Sequence, residues 1–253
     1  MSLLLLALAK WIIILILLVY QHRRNSGNLL LAGGLLMMSL FDINHYLAIS
    51  GISKHLTAIF YLYSSPWVTL IGPFFYLYIR NTLADQNRLY WMDLVHTIPF
   101  WLMWANHIPY FELPFDDKLA YAEQIHRDLN AVREPSHYLL IGHFPLNILR
   151  GLLSLGYLLA CGWRLYRYFR RIPEHPEVPL RQTKLTLRWL SFFIATLTIV
   201  SVFYVLVVLD MKNKHLSAAS FQASNAYVLL LVFYGPLSLS LLFFPEILYG
   251  LPR

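Results

Sequence analysis

The sequence predicts an all-α integral membrane protein, folded as a bundle of seven transmembrane helices. Hydrophobic residues make up 58% of its 253 residues and charged residues only 13%, whereas a soluble domain carries roughly 25% charged residues. Long stretches contain no Asp, Glu, Lys or Arg, namely 55–79, 94–111, 189–209 and 215–245. These features exclude a disordered chain, a disulfide scaffold and an ordinary soluble enzyme. The only cysteine, Cys161, permits neither a disulfide within the chain nor a cysteine metal site.

The predicted spans follow from the lengths of the apolar runs. A spanning helix needs about 20 mostly apolar residues, and unbroken apolar runs favour helices over the alternating strands of a barrel. We predict a single domain over 1–253 with spans at about 2–20, 28–49, 57–80, 93–109, 137–163, 189–210 and 225–246. No Lys or Arg precedes the first apolar run, so this run is not expected to be a cleavable signal. Lys10 within it is expected to snorkel outward or to face a cavity.

The lysine and arginine residues outside the spans predict the orientation. Twelve fall on one side of the predicted membrane, including Arg164, Arg167, Arg170 and Arg171 after span five, and six fall on the other. The N-terminus is therefore predicted outside and the C-terminus in the cytoplasm. The net charge of +7 then mainly reflects the orientation of the chain in the membrane. We expect the arginine series to contact anionic lipid, and we expect no direct nucleic-acid contact by this chain.

Two weaker patterns concern a loop and two spans. Residues 116–130 place apolar side chains at helical spacing, which predicts a short amphipathic helix over the outer mouth of the bundle. The Gly-Pro pairs at 72–73 and 235–236 are predicted kink points. Their separation by 163 residues reflects either chance or two parallel halves in a 3+1+3 plan, which occurs in some small transporters.

Span five carries a continuous polar face, which is the most informative pattern in the chain. Its members are His143, Asn147, Arg150, Ser154, Tyr157 and Cys161. Their helical spacing places them on one side of the span. Arg150 lies near the bilayer centre, where an arginine costs at least ~2.5–3.5 kcal/mol on insertion scales. It is therefore predicted to face the interior of the bundle and to have a partner.

Asp42 on span two is the predicted partner of Arg150. At 1.5 Å per residue, Asp42 lies about 12 Å and Arg150 about 20 Å below the outer surface, and a long arginine side chain covers much of that difference. His45 lies one turn above Asp42. Together with His143 and Asn147, these residues either line an outward-facing ligand pocket or contain an ion pair that only fixes helix packing.

Trp104 on span four is the sixth predicted binding residue. With Trp101 and His107 it forms either an aromatic wall beside the pocket or part of an interfacial aromatic belt. No metal, cofactor or catalytic residue is predicted. Seven of the ten histidines map to the outer half, but no pair has the spacing of a metal site on one helix. No nucleophile–base motif or phosphate loop is visible either, so the chain is not expected to be an enzyme.

Three stretches carry a family resemblance: 72–80 (GPFFYLYIR), 93–100 (DLVHTIPF) and 243–251 (FFPEILYGL). Their order and spacing resemble the membrane-embedded N-terminal half of bacterial AraC-type transcriptional regulators. In that family a seven-helix sensor precedes a cytoplasmic helix-turn-helix DNA-binding domain. The chain stops at Arg253, before such a domain. The resemblance therefore implies a sensor half, a truncated product or a stand-alone relative.

The resemblance implies a multi-pass protein of the bacterial inner membrane that takes part in signal transduction and transcription regulation. It would bind an unknown small-molecule ligand from outside or from the lipid bilayer and signal to the cytoplasmic output domain, as a homodimer by analogy with the family. A small-solute transporter with the 3+1+3 plan is the alternative. A polar path from both sides would favour the transporter, and a pocket closed toward the cytoplasm would favour the sensor.

Overall fold

The structure, a computed structural model, describes residues 2–21, 26–84, 88–171, 180–215 and 217, together with positions 228, 231, 232, 235 and 237. These residues are helical or lie in turns and connections, with no strand among them, which confirms the predicted all-α class. Three helices are long and apolar enough to cross a membrane, at Gly27–Ser50, His143–Arg170 and Lys184–Met211. The number rises to four if the bent pair Lys54–Phe60 and Ser65–Leu83 forms one span.

The helices are numbered here in chain order. They are α1 (Ser2–Gln21), α2 (Ser26–Ser50), α3 (Lys54–Phe60), α4 (Ser65–Val68), α5 (Ile71–Leu83), α6 (Ile98–Asn106), α7 (Ile108–Phe111), α8 (Phe115–Arg127), α9 (His143–Arg171) and α10 (Leu180–Met211). Short 3-10 turns occupy Trp91–Thr97, Leu129–Arg133 and Pro135–His137. Predicted spans one, two, five and six correspond to α1, α2, α9 and α10. Predicted span seven, at 225–246, lies outside the described residues apart from isolated positions.

The third predicted span is a broken helix. Its two parts, Lys54–Phe60 and Ser65–Leu83, meet at an angle of 57°. The predicted kink point at Gly72–Pro73 lies in the first turn of α5, directly after the interruption at 69–70 that separates α4 from α5. A proline there removes no helical hydrogen bond, so it marks a helix start and the bend lies upstream at 61–64. The second predicted kink point, Pro236, lies outside the described residues.

The fourth predicted span, 93–109, is a series of three short helical segments. A 3-10 turn precedes α6, and α7 follows it after His107. Pro99 and Pro109 each stand in the first turn of an α-helix, the position that proline favours. The Asn106 side chain then accepts hydrogen bonds from the backbone N–H groups of Leu140 and Ile141, both at 2.9 Å. This contact fastens α6 to the segment that leads into α9.

The long helices form neighbouring pairs. Helix α2 packs between α1 and α5, and α9 packs between α5 and α10. We call the end of this bundle where α2 ends and α9 begins the cavity end, and the opposite end the far end. Toward the far end the core is aromatic, because the Phe193 ring lies 5.0 Å from both Phe75 and Trp189. Trp189 Nε1 donates to the Tyr78 hydroxyl at 3.1 Å, so its polar group is satisfied within this core.

The amphipathic helix predicted at 116–130 is confirmed as α8. It packs on α3 at the cavity end and buries Tyr121, Ala122 and Ile125. Lys54 Nζ lies 3.2 Å from a carboxylate oxygen of Glu123, and this hydrogen bond lowers the pKa of Glu123. Helix α8 is therefore held over the cavity end by an apolar face and by polar contacts at its rim.

Candidate ligand-binding site

A cavity of about 160 Å³ lies at the cavity end of the bundle. Its walls come from the beginning of α1, the second half of α2, the segment 61–65, the Leu129–Arg133 turn, the beginning of α9 and the end of α10. Three of the elements involved, α2, α9 and α10, are the helices of membrane-spanning length. The cavity therefore lies among the helices, at one end of the molecule.

Among the described residues, Arg150 is one of two arginines that line this cavity, together with Arg133. Its Nη1 donates to Asn147 Oδ1 at 3.1 Å, and its Nη2 donates to the backbone carbonyl of Ser65 at 3.2 Å. Nη2 also contacts the Ser65 hydroxyl and lies 3.6 Å from the Met103 sulfur. All these partners are neutral. The guanidinium is thus positioned by the hydrogen bonds that it donates to α4, to α6 and within its own helix, and none of these acceptors compensates its charge.

Ser65 joins Arg150 to His107. The Ser65 hydroxyl lies 2.9 Å from His107 Nε2, and His107 Nδ1 lies 2.7 Å from the Met103 carbonyl oxygen. A carbonyl oxygen only accepts hydrogen bonds, so Nδ1 carries a proton and Nε2 of the neutral ring accepts from Ser65. Ser65 in turn accepts from Arg150. Both Ser65 and His107 are buried. This chain of hydrogen bonds therefore holds the broken segment between α3 and α5 against α6.

Asn147 is the second organising residue. Its Oδ1 accepts from Arg150 and, at 2.7 Å, from the Tyr204 hydroxyl of α10. Its Nδ2 donates to the His143 carbonyl at 2.8 Å and approaches His143 Nε2 at 3.1 Å. The other ring nitrogen of His143 lies 3.1 Å from the Tyr138 hydroxyl. The Asn147 side chain therefore contacts α10 directly. Through His143 it is also connected to Tyr138, in the segment before α9.

The predicted pairing of Asp42 with Arg150 is wrong. Asp42 Oδ2 lies 2.6 Å from Lys10 Nζ, and both side chains are fully buried between α1 and α2. Asp42 does not line the cavity. Counting from the connection between spans one and two, Lys10 lies about 16 Å and Asp42 about 24 Å along their helices, within reach of a lysine side chain. The sequence therefore contained the signal for this pair, in two opposite charges on antiparallel neighbours.

Trp104 also lies away from the cavity, contrary to the prediction. Its ring is 44% exposed and packs at 5.6 Å from Phe111. The chain breaks between α6 and α7 at His107, and this break turns His107 into the cavity while Trp104 stays on the surface. Of the wall predicted for span four, only His107 lines the cavity, and Trp101 and Trp104 do not.

Four of the six predicted binding residues line the cavity: His45, His143, Asn147 and Arg150. His45 Nδ1 donates to the Phe41 carbonyl at 2.9 Å, which leaves Nε2 as the acceptor of the neutral ring. Sequence reasoning missed the polar lining residues Asn44, Ser65, Arg133, Tyr138 and Tyr204. Asn44 and Tyr204 gave a usable signal, because each is a polar residue within an apolar span.

Two buried polar atoms at the cavity have no hydrogen-bond partner among the described residues: Asn44 Oδ1 and Arg150 Nε. Leaving such a group unsatisfied costs about 1–3 kcal/mol, and more when the group is charged. Within the described part of the chain, no Asp or Glu lines the cavity, whereas Arg133 and Arg150 both do. No group of three or more His, Cys, Asp or Glu residues suited to a metal ion occurs there either. The cavity thus combines positive charge with unused hydrogen-bonding capacity.

Comparison with known proteins identifies no relative. No protein-family model, curated protein or solved structure matches the chain. The cavity is therefore the feature of this chain that indicates a function.

Proposed function

We propose that the chain is a membrane-embedded receptor module, whose cavity at the cavity end binds a small ligand and whose helices transmit the binding to the far end. The observation that carries this proposal is the cavity around Arg150, where a cation without a carboxylate partner among the described residues borders an open volume of about 160 Å³. Partly apolar pockets with a few convergent polar groups are the usual form of small-molecule sites.

The packing at the far end supports a receptor over a transporter. Phe75, Trp189 and Phe193 are each at most 2% exposed and fill the space between α5 and α10. A Cβ atom at Gly34 would overlap the Phe75 ring, so α2 and α5 leave no room there. This tight apolar layer would oppose passage of a polar solute beyond the cavity.

The orientation of the receptor is part of the proposal. The excess of lysine and arginine at the far-end loops favours a cytoplasmic far end and an outward-facing cavity, in a bundle of seven spans. With the resemblance to AraC-type regulators, this arrangement supports a sensor of the bacterial inner membrane whose output is a cytoplasmic helix-turn-helix domain. Fold-level resemblance is an analogy, so the site must be tested directly.

A test of the proposal combines ligand binding with a distance at the far end. The protein is reconstituted in liposomes with Cys161→Ala and spin labels on Ala84→Cys, directly after α5, and Arg167→Cys in α9, both exposed positions. The probes are benzoate, benzyl alcohol and benzylamine, which share one ring and differ in charge. We expect at least one probe to raise the melting temperature and to change the label distance, because a ligand shifts helix packing by its differential affinity for the two arrangements.

The control replaces alanine by phenylalanine at two positions, one inside the cavity and one outside it. Ala48→Phe fills the cavity and is expected to abolish both responses, whereas Ala120→Phe, at an exposed position of α8, is expected to leave them unchanged. Stabilisation without any change in label distance would contradict a receptor. Accumulation of a probe inside the liposomes that Ala48→Phe abolishes would establish the alternative, a small-solute transporter.

A further inference from the structure

The charge of the cavity lining indicates which ligands it accepts. Arg150 and Arg133 both line the cavity, and the Arg133 guanidinium donates to the backbone carbonyls of Met211 and Lys214, at 2.6 and 3.1 Å. Neither arginine forms a salt bridge with a carboxylate in the described part of the chain. Low-dielectric surroundings strengthen the attraction of such a cation for an anion. The lining therefore favours a negatively charged group.

The hydrogen bonds of Arg150 leave donors for such a group. A guanidinium has five N–H donors. Nη1 uses one of its two on Asn147 and keeps the other, whereas Nε has no partner among the described residues but is itself buried. Ser65 and Asn147 meanwhile hold the guanidinium in one orientation. One oxygen of a carboxylate fits this arrangement, because it can accept a charge-assisted hydrogen bond from the remaining N–H of Nη1.

The rest of the cavity favours an apolar body attached to that anion. Side chains of Phe41, Leu62, Leu146, Val207 and Met211 form much of the wall. The volume of about 160 Å³ is close to that of engineered protein cavities that bind benzene, roughly 150 Å³. A ligand with one ring or a short alkyl chain fits, and a long acyl chain exceeds the space.

We infer that the ligand of this cavity is a small amphipathic monocarboxylate, whose carboxylate pairs with Arg150 and whose apolar body contacts the aliphatic and aromatic wall. This assignment rests on the receptor function proposed above and names its ligand class. Binding is a reversible ion pairing with burial of apolar surface, and it involves no transfer of a proton or an electron.

The test compares benzoate with two matched probes on the reconstituted wild-type chain. Benzamide keeps the ring but removes the charge, and acetate keeps the charge but removes the ring. We expect benzoate to bind at least about tenfold more tightly than either probe, because hydrogen bonds to charged groups and burial of a ring are each worth a factor of this size or more. The readout is the melting temperature as a function of probe concentration.

Variants then locate the carboxylate. Arg150→Gln is expected to remove the preference for benzoate over benzamide, and Arg150→Lys to retain part of it. Arg127→Gln removes a cation of the same kind from an exposed position at the same end of the molecule, and is expected to change nothing. The wild-type comparison of benzoate with benzamide needs no variant, so it stands even if Arg150→Gln fails to fold.

The outcomes separate the ligand class from the receptor function. Equal binding of benzoate and benzamide, or a preference for benzoate that survives in folded Arg150→Gln, overturns the assignment of a monocarboxylate to Arg150. If benzyl alcohol or benzylamine instead stabilises the wild type but not Ala48→Phe, and changes the label distance, the receptor proposal stands and only the ligand class is wrong. Binding of benzoate with no change in that distance supports the ligand class and contradicts the receptor.

Discussion

Breaking the ion pair between Lys10 and Asp42 is expected to destabilise the protein far more than removing both charges together. At 2.6 Å and an effective dielectric constant of about 20, the Coulomb attraction between the two groups is about 6 kcal/mol. Desolvation of two fully buried ions offsets most of this attraction. The pair is therefore close to neutral in net stability, but removing one partner leaves the other charge buried without this ion pair.

The magnitudes follow from that asymmetry. Lys10→Met or Asp42→Leu alone is expected to lower the free energy of unfolding by about 3–5 kcal/mol. The double variant Lys10→Met/Asp42→Leu is expected to be at least as stable as the wild type, because it replaces the pair with apolar side chains between α1 and α2. The two single effects would then be strongly non-additive, with an interaction energy of at least about 3 kcal/mol.

The assay is reversible unfolding of the detergent-solubilised protein by sodium dodecyl sulfate, followed by helical circular dichroism. All four proteins of the double-mutant cycle are measured under the same conditions. Single variants that each cost less than about 1 kcal/mol, the range of an exposed ion pair, would refute the reasoning. So would a double variant that is as unstable as the two single effects combined, since it would mean that Lys10 and Asp42 do not interact.

Two further predictions concern packing and pH. Gly151→Ala is expected to lower the free energy of unfolding by about 1–3 kcal/mol in the same assay, since its Cβ would overlap Val205 of α10. Gly156→Ala is the control, because no atom lies within 4 Å of the new Cβ. It is expected to leave the stability unchanged or to raise it. Burial of His126 on α8 lowers its pKa below the ordinary value of about 6.5, so the folded state binds fewer protons there than the unfolded state. The unfolding free energy should therefore fall as the pH drops below about 6.5, and less steeply in His126→Gln; equal slopes in the two proteins would contradict this assignment.

The sequence predicted those parts of the fold that depend on one segment at a time. The apolar run lengths located α1, α2, α9 and α10, and the apolar periodicity of 116–130 located α8. The spacing of His143, Asn147 and Arg150 placed all three on the cavity side of α9, where the structure has them. Each of these inferences needs only helical periodicity or the thickness of a membrane.

The errors concern contacts between segments. The sequence pattern favours Arg150 as the partner of Asp42 because the two charges are opposite and a long arginine side chain covers much of the difference in depth, but Lys10 is on the helix directly paired with α2. The direction of Trp104 depends on a helix break at His107 that span length alone does not reveal. No pattern in the sequence indicates that Ser65 accepts a hydrogen bond from Arg150, since this contact depends on the 57° bend that brings α4 to α9.

An experimental density map of the reconstituted protein in saturating benzoate tests directly whether Arg150 binds a carboxylate. We expect density for one benzoate in the cavity at the cavity end. Its carboxylate should lie within hydrogen-bonding distance of Arg150 and its ring against Phe41 and Val207, with the layer at Phe75 and Phe193 still closed. An empty cavity, or a benzoate whose ring rather than carboxylate faces Arg150, would contradict the account.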